Sequence, residues 1–347
     1  MPAAKQDISK SRTSSRKYLY LALVVLLAFA GWSAFWFFSY TKTQGLVDRL
    51  LARQIGGKPV VTCQDQQLGG YPFRLYLSCS SYKLANPRTG WQIEGGPLRA
   101  IWQVYAPNLA VIETEDRLKI DHAASGQTFD IVSDLMRGSV RFSPTDFVAR
   151  ASFEANMPTI SSQNSSIAEA IGDITAEKLV FHARPTPQKT NDLDLSIAAT
   201  ELSAGQWPIV SGQLSLTALE GLAQAIRTDA NPARAWLQHS GKIENIDGLI
   251  EIGQKTLKLN GAVSFDDQGK ANGLVKLSIL NPGLSQAGAA KPLSAKRDGL
   301  NGPLTALQLM GKPVKDGTMI GSQVDIKLSA GQITAGFLPL GNVPALR

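Results

Sequence analysis

Few residues in this 347-residue chain are grouped so that they could do chemistry. The densest acidic run is Glu113-Thr114-Glu115-Asp116, with His122 shortly after it. Carboxylates so grouped can bind a metal or move protons. The three histidines, His122, His182 and His239, are far apart in sequence. HExxH, GxSxG, Walker-type phosphate-loop and dinucleotide-binding patterns are missing from the sequence. Ser125, Ser211 and Ser240 each precede a glycine, which is ordinary turn chemistry. No catalytic residue, metal or cofactor is therefore expected. The acidic run reads as a solvated turn between strands at 106–112 and 118–120. The competing reading is a hydrolase or modifying enzyme acting on lipid or cell wall, with Glu113, Glu115 and His122 in its site.

Two cysteines, Cys63 and Cys79, are the other reactive pair. Strand-prone Val60-Val61-Thr62 precedes them and Leu75-Tyr76-Leu77 lies before the second, with Gly69-Gly70 and Pro72 as turn residues between. A hairpin centred near Tyr71 would set positions 63 and 79 opposite each other, and a disulfide is expected. A metal pair or a redox pair is disfavoured, because no histidine lies close in sequence and the spacing is not CxxC. Within the turn, Gly69 and Gly70 permit a sharp reversal, Pro72 fixes the backbone, and Tyr71 or Phe73 is expected to pack below the sheet. Arg74 is suited to a carboxylate or a lipid phosphate.

The element that decides where this chemistry operates is Tyr18 to Tyr40, an uncharged run of 23 residues. As a helix it spans roughly 34 Å, enough to cross a hydrocarbon core of about 30 Å. Lys5, Lys10, Arg12, Arg16 and Lys17 precede it against one acid, Asp7. By the positive-inside rule, residues 1–17 are a cytoplasmic tail, 18–40 an inner-membrane anchor, and everything beyond is periplasmic. Ala28-Phe29-Ala30 would suit a signal peptidase, but the apolar run continues through Trp36, Phe37 and Phe38, which favours an uncleaved anchor. The net charge is +7, yet residues 41 onward carry 30 basic and 27 acidic side chains. No basic patch argues for nucleic acid.

Beyond the anchor, Leu46, Leu50, Leu51 and Ile55 recur at helical spacing, predicting a stalk helix over 41–57 that stops at Gly56-Gly57. The rest is mainly β, read as 58–160 and 161–347 of one β-rich unit sharing a continuous sheet. Alternation is clear in 193–197, 257–265, 275–279 and 324–328, each with one apolar face. Antiparallel hairpins are expected around 266–272 and at Gly331-Gln332, the latter followed by a strand over 333–338. A few packed helices are expected: 167–171, 217–227 with Thr217 as cap, one opening at Pro232, and 303–310. The expected fold is curved antiparallel sheet on a single-pass transmembrane helix.

Gly69-Gly70-Tyr71-Pro72-Phe73-Arg74 followed by Cys79, together with the N-terminal anchor and the closing run from Gly331 to Leu346, resembles the domain of unknown function 2125 family of membrane-anchored envelope proteins. The sequence departs from that family's closing pattern at Ala335-Gly336-Phe337. The family is grouped with AsmA-like proteins, which implies a long β-sheet whose apolar concave face shelters acyl chains. The partners so implied are inner-membrane lipids, an acyl-chain ligand and other envelope proteins. The role implied is non-enzymatic, in lipid binding or transfer or in envelope assembly.

Overall fold

A single helix, α1 (Ser15–Leu51), begins the computed structural model, which describes residues 15–86, 90–123, 125–143, 147–164, 171–205, 207–228, 232–281 and 301–345. Its 37 residues would extend about 55 Å. The apolar run and the stalk are thus one helix, and it ends at Leu51, short of the expected 57. Ile55 lies instead in a two-stranded hairpin, β1 (Gln54–Ile55) with β2 (Lys58–Pro59). Gly56 and Gly57 form its turn at φ of 59° and 75°, the left-handed geometry that tight two-residue hairpins require.

All remaining strands form one hydrogen-bonded antiparallel system. The first are β3 (Val61–Cys63), β4 (Gln67–Gly69), β5 (Arg74–Cys79), β6 (Tyr82–Asn86), β7 (Trp91–Gly95) and β8 (Leu98–Gln103). The long central strands follow: β9 (Ala106–His122), β10 (Gln127–Ser143), β11 (Phe147–Asn156), β12 (Thr159–Ser162), β13 (Ile174–Thr175), β14 (Lys178–Thr186), β15 (Lys189–Ala204) and β16 (Val210–Leu219). After helices α2 (Leu222–Thr228) and α3 (Pro232–Gln238) come β17 (Lys242–Ile252), β18 (Lys255–Phe265) and β19 (Ala271–Asn281). Helix α4 (Asn301–Met310) then leads to β20 (Lys312–Asp316), β21 (Met319–Ser329), β22 (Gln332–Ala335) and β23 (Leu338–Asn342).

The pairings close a ring of six strands, β10, β11, β14, β15, β13 and β12, from which the others extend. The ring has a simple origin in the register. β9 lies along one edge of β10 on both sides of a bulge, while β11 and β12 lie end to end along the other edge. β13 and β14 lie end to end along β15 in the same way. Two breaks, at Met157-Pro158 and Ala176-Glu177, therefore divide long strand paths, and the ring is a bent stretch of sheet with strands laid side by side.

Three expectations are corrected here. The helix placed at 217–227 begins only at Leu222, because Thr217 belongs to β16, where its hydroxyl donates to Asp194 at 3.1 Å. The acidic run is no turn: it lies within β9, and Asp116 at φ 66° marks a bulge. The final strand expected at 333–338 is two strands, turned at Gly336 (φ 59°) and the exposed Phe337. Of the window at 167–171, all but Ile171 lies outside the described residues.

Hydrophobic packing is concentrated at two places. Leu304 and Leu307 of α4 bury against Leu257, Ile279, Val324 and Ala335. Trp236 and Leu237 of α3 cover Ala218, and the Trp236 indole N–H donates to the Leu219 carbonyl. Each of these large side chains contributes roughly 1.5–3 kcal/mol by leaving water.

Candidate functional site

Directly opposed residues in an antiparallel pair point to the same face, as do residues two apart on one strand. Followed strand by strand, the register draws one row across the sheet. It runs from Leu68 through Leu77, Ala100 and Ile112 to Gly138. It continues through Phe153, Phe181, Ile197 and Leu214. It passes Gly248, Leu259 and Leu277 and ends at Val324. Every position on thirteen strands is apolar or glycine. At about 4.8 Å per strand the row is roughly 58 Å long. Flanking rows on the same face are also apolar, with Val140, Ala151, Ala183 and Leu195 on one side and Met136, Ala155, Leu179 and Ala199 on the other.

The opposite face is its chemical inverse. The row one residue away reads Ser139, Ser152, His182, Ser196, Ser215, Asp247, Asn260, Lys276 and Asp325. Ion pairs decorate that face: Arg137 with Glu113 at 2.8 Å, Lys178 with Glu154 at 2.9 Å, Arg184 with Asp194 at 3.2 Å. A polar depression there is lined by His182, Arg184, Asp194, Ser215 and Thr217. Asp194 at its floor already accepts from Thr186 and Thr217.

Cover on the apolar face is uneven. α4 closes it over β18 to β22, and α2 with α3 closes one end over β15 to β18. On the strands that precede both covers the row is open: Phe153 is 39 %, Phe181 40 % and Ile197 50 % exposed. Gly138 deepens this stretch, since a Cβ placed there would meet nothing nearer than backbone oxygens at 3.9 and 4.0 Å. The arrangement is a shallow apolar trough with a polar underside.

At the first strands, the Tyr71–Arg74 turn packs on α1 and not below the sheet. The Trp32 indole N–H donates to the Pro72 carbonyl at 2.9 Å, and that of Trp36 donates to the Arg74 carbonyl at 3.1 Å. Ser33 and Tyr71 share a hydroxyl–hydroxyl bond at 2.8 Å. Tyr71 meets the Trp36 ring edge-on at 5.3 Å, and Phe73 lies 5.9 Å from the Trp32 ring. Gly70 makes the turn with φ 117°, and a Cβ there would lie 2.5 Å from the Arg74 carbonyl oxygen. Gly69 is less confined, since its Cβ would meet the end of the Tyr76 side chain, the hydroxyl at 2.9 Å.

Cys63 and Cys79 form a disulfide with Cα atoms 5.2 Å apart. They are not cross-strand partners as expected: Cys63 opposes Tyr82, and Cys79 opposes Leu98. The bridge instead clasps the place where β3–β4 and β5–β6 are both interrupted, beside the Gln64–Ser80 and Gln64–Ser81 backbone bonds.

The residues of the enzyme reading are not assembled. Glu113 and His122 lie nine residues apart on one extended strand, about 30 Å. Glu113 is paired with Arg137, and His122 stacks on Trp91 and bonds Ser125 at 2.7 Å. Among the described residues no group of three or more His, Cys, Asp or Glu could hold a metal. Two carboxyls on the polar face lie below the usual carboxylate range. That of Asp121 is held there chiefly by the Thr128 hydroxyl. At Asp130 burial opposes ionisation and is outweighed by hydrogen bonds from Gln163 and Arg117 and by the Arg117 charge.

A family model described as "Uncharacterized protein conserved in bacteria (DUF2125)" matches residues 36–344. The chain belongs to this family. The match covers the trough, the disulfide, the Tyr71–Arg74 turn and the end of the apolar run. No curated protein and no solved structure matches the chain. Within this DUF2125 chain, α1 is the one helix among the described residues long and apolar enough to cross a membrane, as a single-pass anchor or a signal sequence would be.

Proposed function

We propose that this DUF2125 protein is a moored lipid-binding protein of the bacterial envelope: α1 stays in the inner membrane with its N-terminus in the cytoplasm, and the sheet stands in the periplasm with acyl chains lying along its open apolar row. It binds its ligand and does not transform it. The observation that carries this reading is the unbroken apolar row from Leu68 to Val324, left open at Phe153, Phe181 and Ile197. An exposed apolar stripe backed by a polar face fits a flexible apolar ligand, because each methylene it covers contributes about 0.8 kcal/mol. The basic residues before Tyr18 and the continuation of α1 through Ala28–Ala30 without a break support the anchor and its orientation.

The test is a photo-crosslinking amino acid placed at Phe181 or Ile197 of the full chain in cells, with His182 as the control on the opposite face. Lipid adducts at 181 and 197 and none at 182 are expected. Equal or absent adducts at all three positions would overturn the reading. Orientation is checked by a reporter fused after Arg347, which should be active only on the periplasmic side.

A further inference from the structure

Counting about 20 residues from Lys17, the length of helix that crosses 30 Å of hydrocarbon, reaches Phe37. Trp36 then stands at the outer edge of the hydrocarbon and Trp32 one turn, about 5.4 Å, deeper. The Tyr71–Arg74 turn is hydrogen-bonded to both indoles, at Pro72 and Arg74. Wherever α1 crosses, this turn is carried to the depth of its partners. It is also built for that depth. Tyr71 and Phe73 are 49 % and 61 % exposed even though each touches an α1 ring, and exposed Tyr105 stands beside them, since the Val104 N–H donates to the Phe73 carbonyl. The exposed Arg74 follows at the level of Trp36.

We propose that Tyr71, Phe73 and Tyr105 form a wedge inserted into the lipid leaflet on the sheet's side of the membrane, with Arg74 at the level of its phosphates. The occupant of this aromatic surface is the leaflet that α1 itself traverses. Aromatic rings with polar edges suit the headgroup boundary, and burial of 5–10 Å is the usual depth of interfacial apolar groups. The wedge gives the sheet a second point of attachment, which fixes its tilt on the bilayer. It also sets Leu75 and Leu77, at the start of the apolar face, directly above the lipid. The inference rests on α1 crossing a bilayer and not on what the trough holds.

Nitroxide spin labels on cysteines introduced one at a time at Phe73, Tyr105, Leu26 and Gln254 of the full chain in phospholipid vesicles test it; Cys63 and Cys79 are bonded to each other and take no label. Depth is read from collision with oxygen, which concentrates in hydrocarbon, against a water-soluble nickel chelate. Leu26, exposed in mid-span, should read deep, and Gln254, exposed in the β17–β18 turn, should read as water. Labels at 73 and 105 are expected to favour oxygen, reversing the ratio seen at 254. If 26 reads deep while 73 and 105 match 254, the wedge is overturned and the anchor stands. If 26 also reads as water, both fall. Lipid adducts at Phe181 would be unaffected by failure of the wedge alone, so the two proposals fail separately.

Discussion

Phe153 and Phe181 stand directly opposite each other on β11 and β14, on the stretch of the apolar face that precedes its two helical covers. These two opposed rings and Ile197 beside them are an uncovered apolar stretch, the place where the proposed ligand would lie. Ile197→Asp places a charge in that stretch without disturbing a buried core. Lipid adducts or co-purified lipid should fall about tenfold or more, the equivalent of ~1.4 kcal/mol, while thermal stability stays near that of the parent. Ser196→Asp, on the polar face, should change neither.

Gly138 offers a gain-of-bulk test. Because open space surrounds its position, Gly138→Phe should fold normally and fill the floor of the trough between Ile112 and Phe153. Loss of lipid adducts at Phe181 with an unchanged melting curve is the expected result. Retained adducts would show that the ligand does not lie along this row.

The α1 dock depends on two indole N–H groups and one strained glycine. Trp32→Phe removes the bond to Pro72 and should loosen the turn by about 1 kcal/mol. Gly70→Ala drives a Cβ toward the Arg74 carbonyl in left-handed backbone, costing roughly 1–3 kcal/mol. Proteolysis within residues 70–74 should rise in both variants, more in the second.

Cys63→Ser opens a clasp that closes a loop of sequence separation 16. By the chain-entropy estimate this costs about 3 kcal/mol. Reducing agent should lower the parent's melting temperature to that of the variant and leave the variant's own unchanged.

Acid should unfold the sheet partly through Asp121 and Asp130. Their carboxyls are held below the usual range in the folded chain, so their stabilisation is fully present above the unfolded value of about 3.9 and is lost as pH falls through the lower folded values. Asp130→Asn should flatten the stability curve below about pH 4 relative to the parent, read by denaturant midpoints across that range.

Some of this was legible in the amino-acid order because it is local. An apolar run from Tyr18 to Tyr40 announces a helix long and apolar enough to span a membrane, and 193–197 or 257–265 announce two-faced strands by alternation. Thr217 and Glu220 imitated a helix start, yet a tertiary bond from Thr217 to Asp194 keeps that segment in the sheet. The trough was out of reach for a different reason. Its continuity depends on register across thirteen strands, and bulges at Asp116, Glu201 and Asn245, each with positive φ, reverse the odd–even order that alternation relies on. The dock of Tyr71 and Phe73 on α1 was likewise invisible, since it joins segments about forty residues apart.

Since nearly every long strand path bonds only to the paths before and after it in the chain, the distance the sheet extends beyond α1 is a tally of hairpins. Duplicating or deleting one hairpin would lengthen or shorten that reach by about 10 Å while leaving both termini of the device unchanged. Gain or loss of such a unit thus changes the length of the sheet without a new architecture.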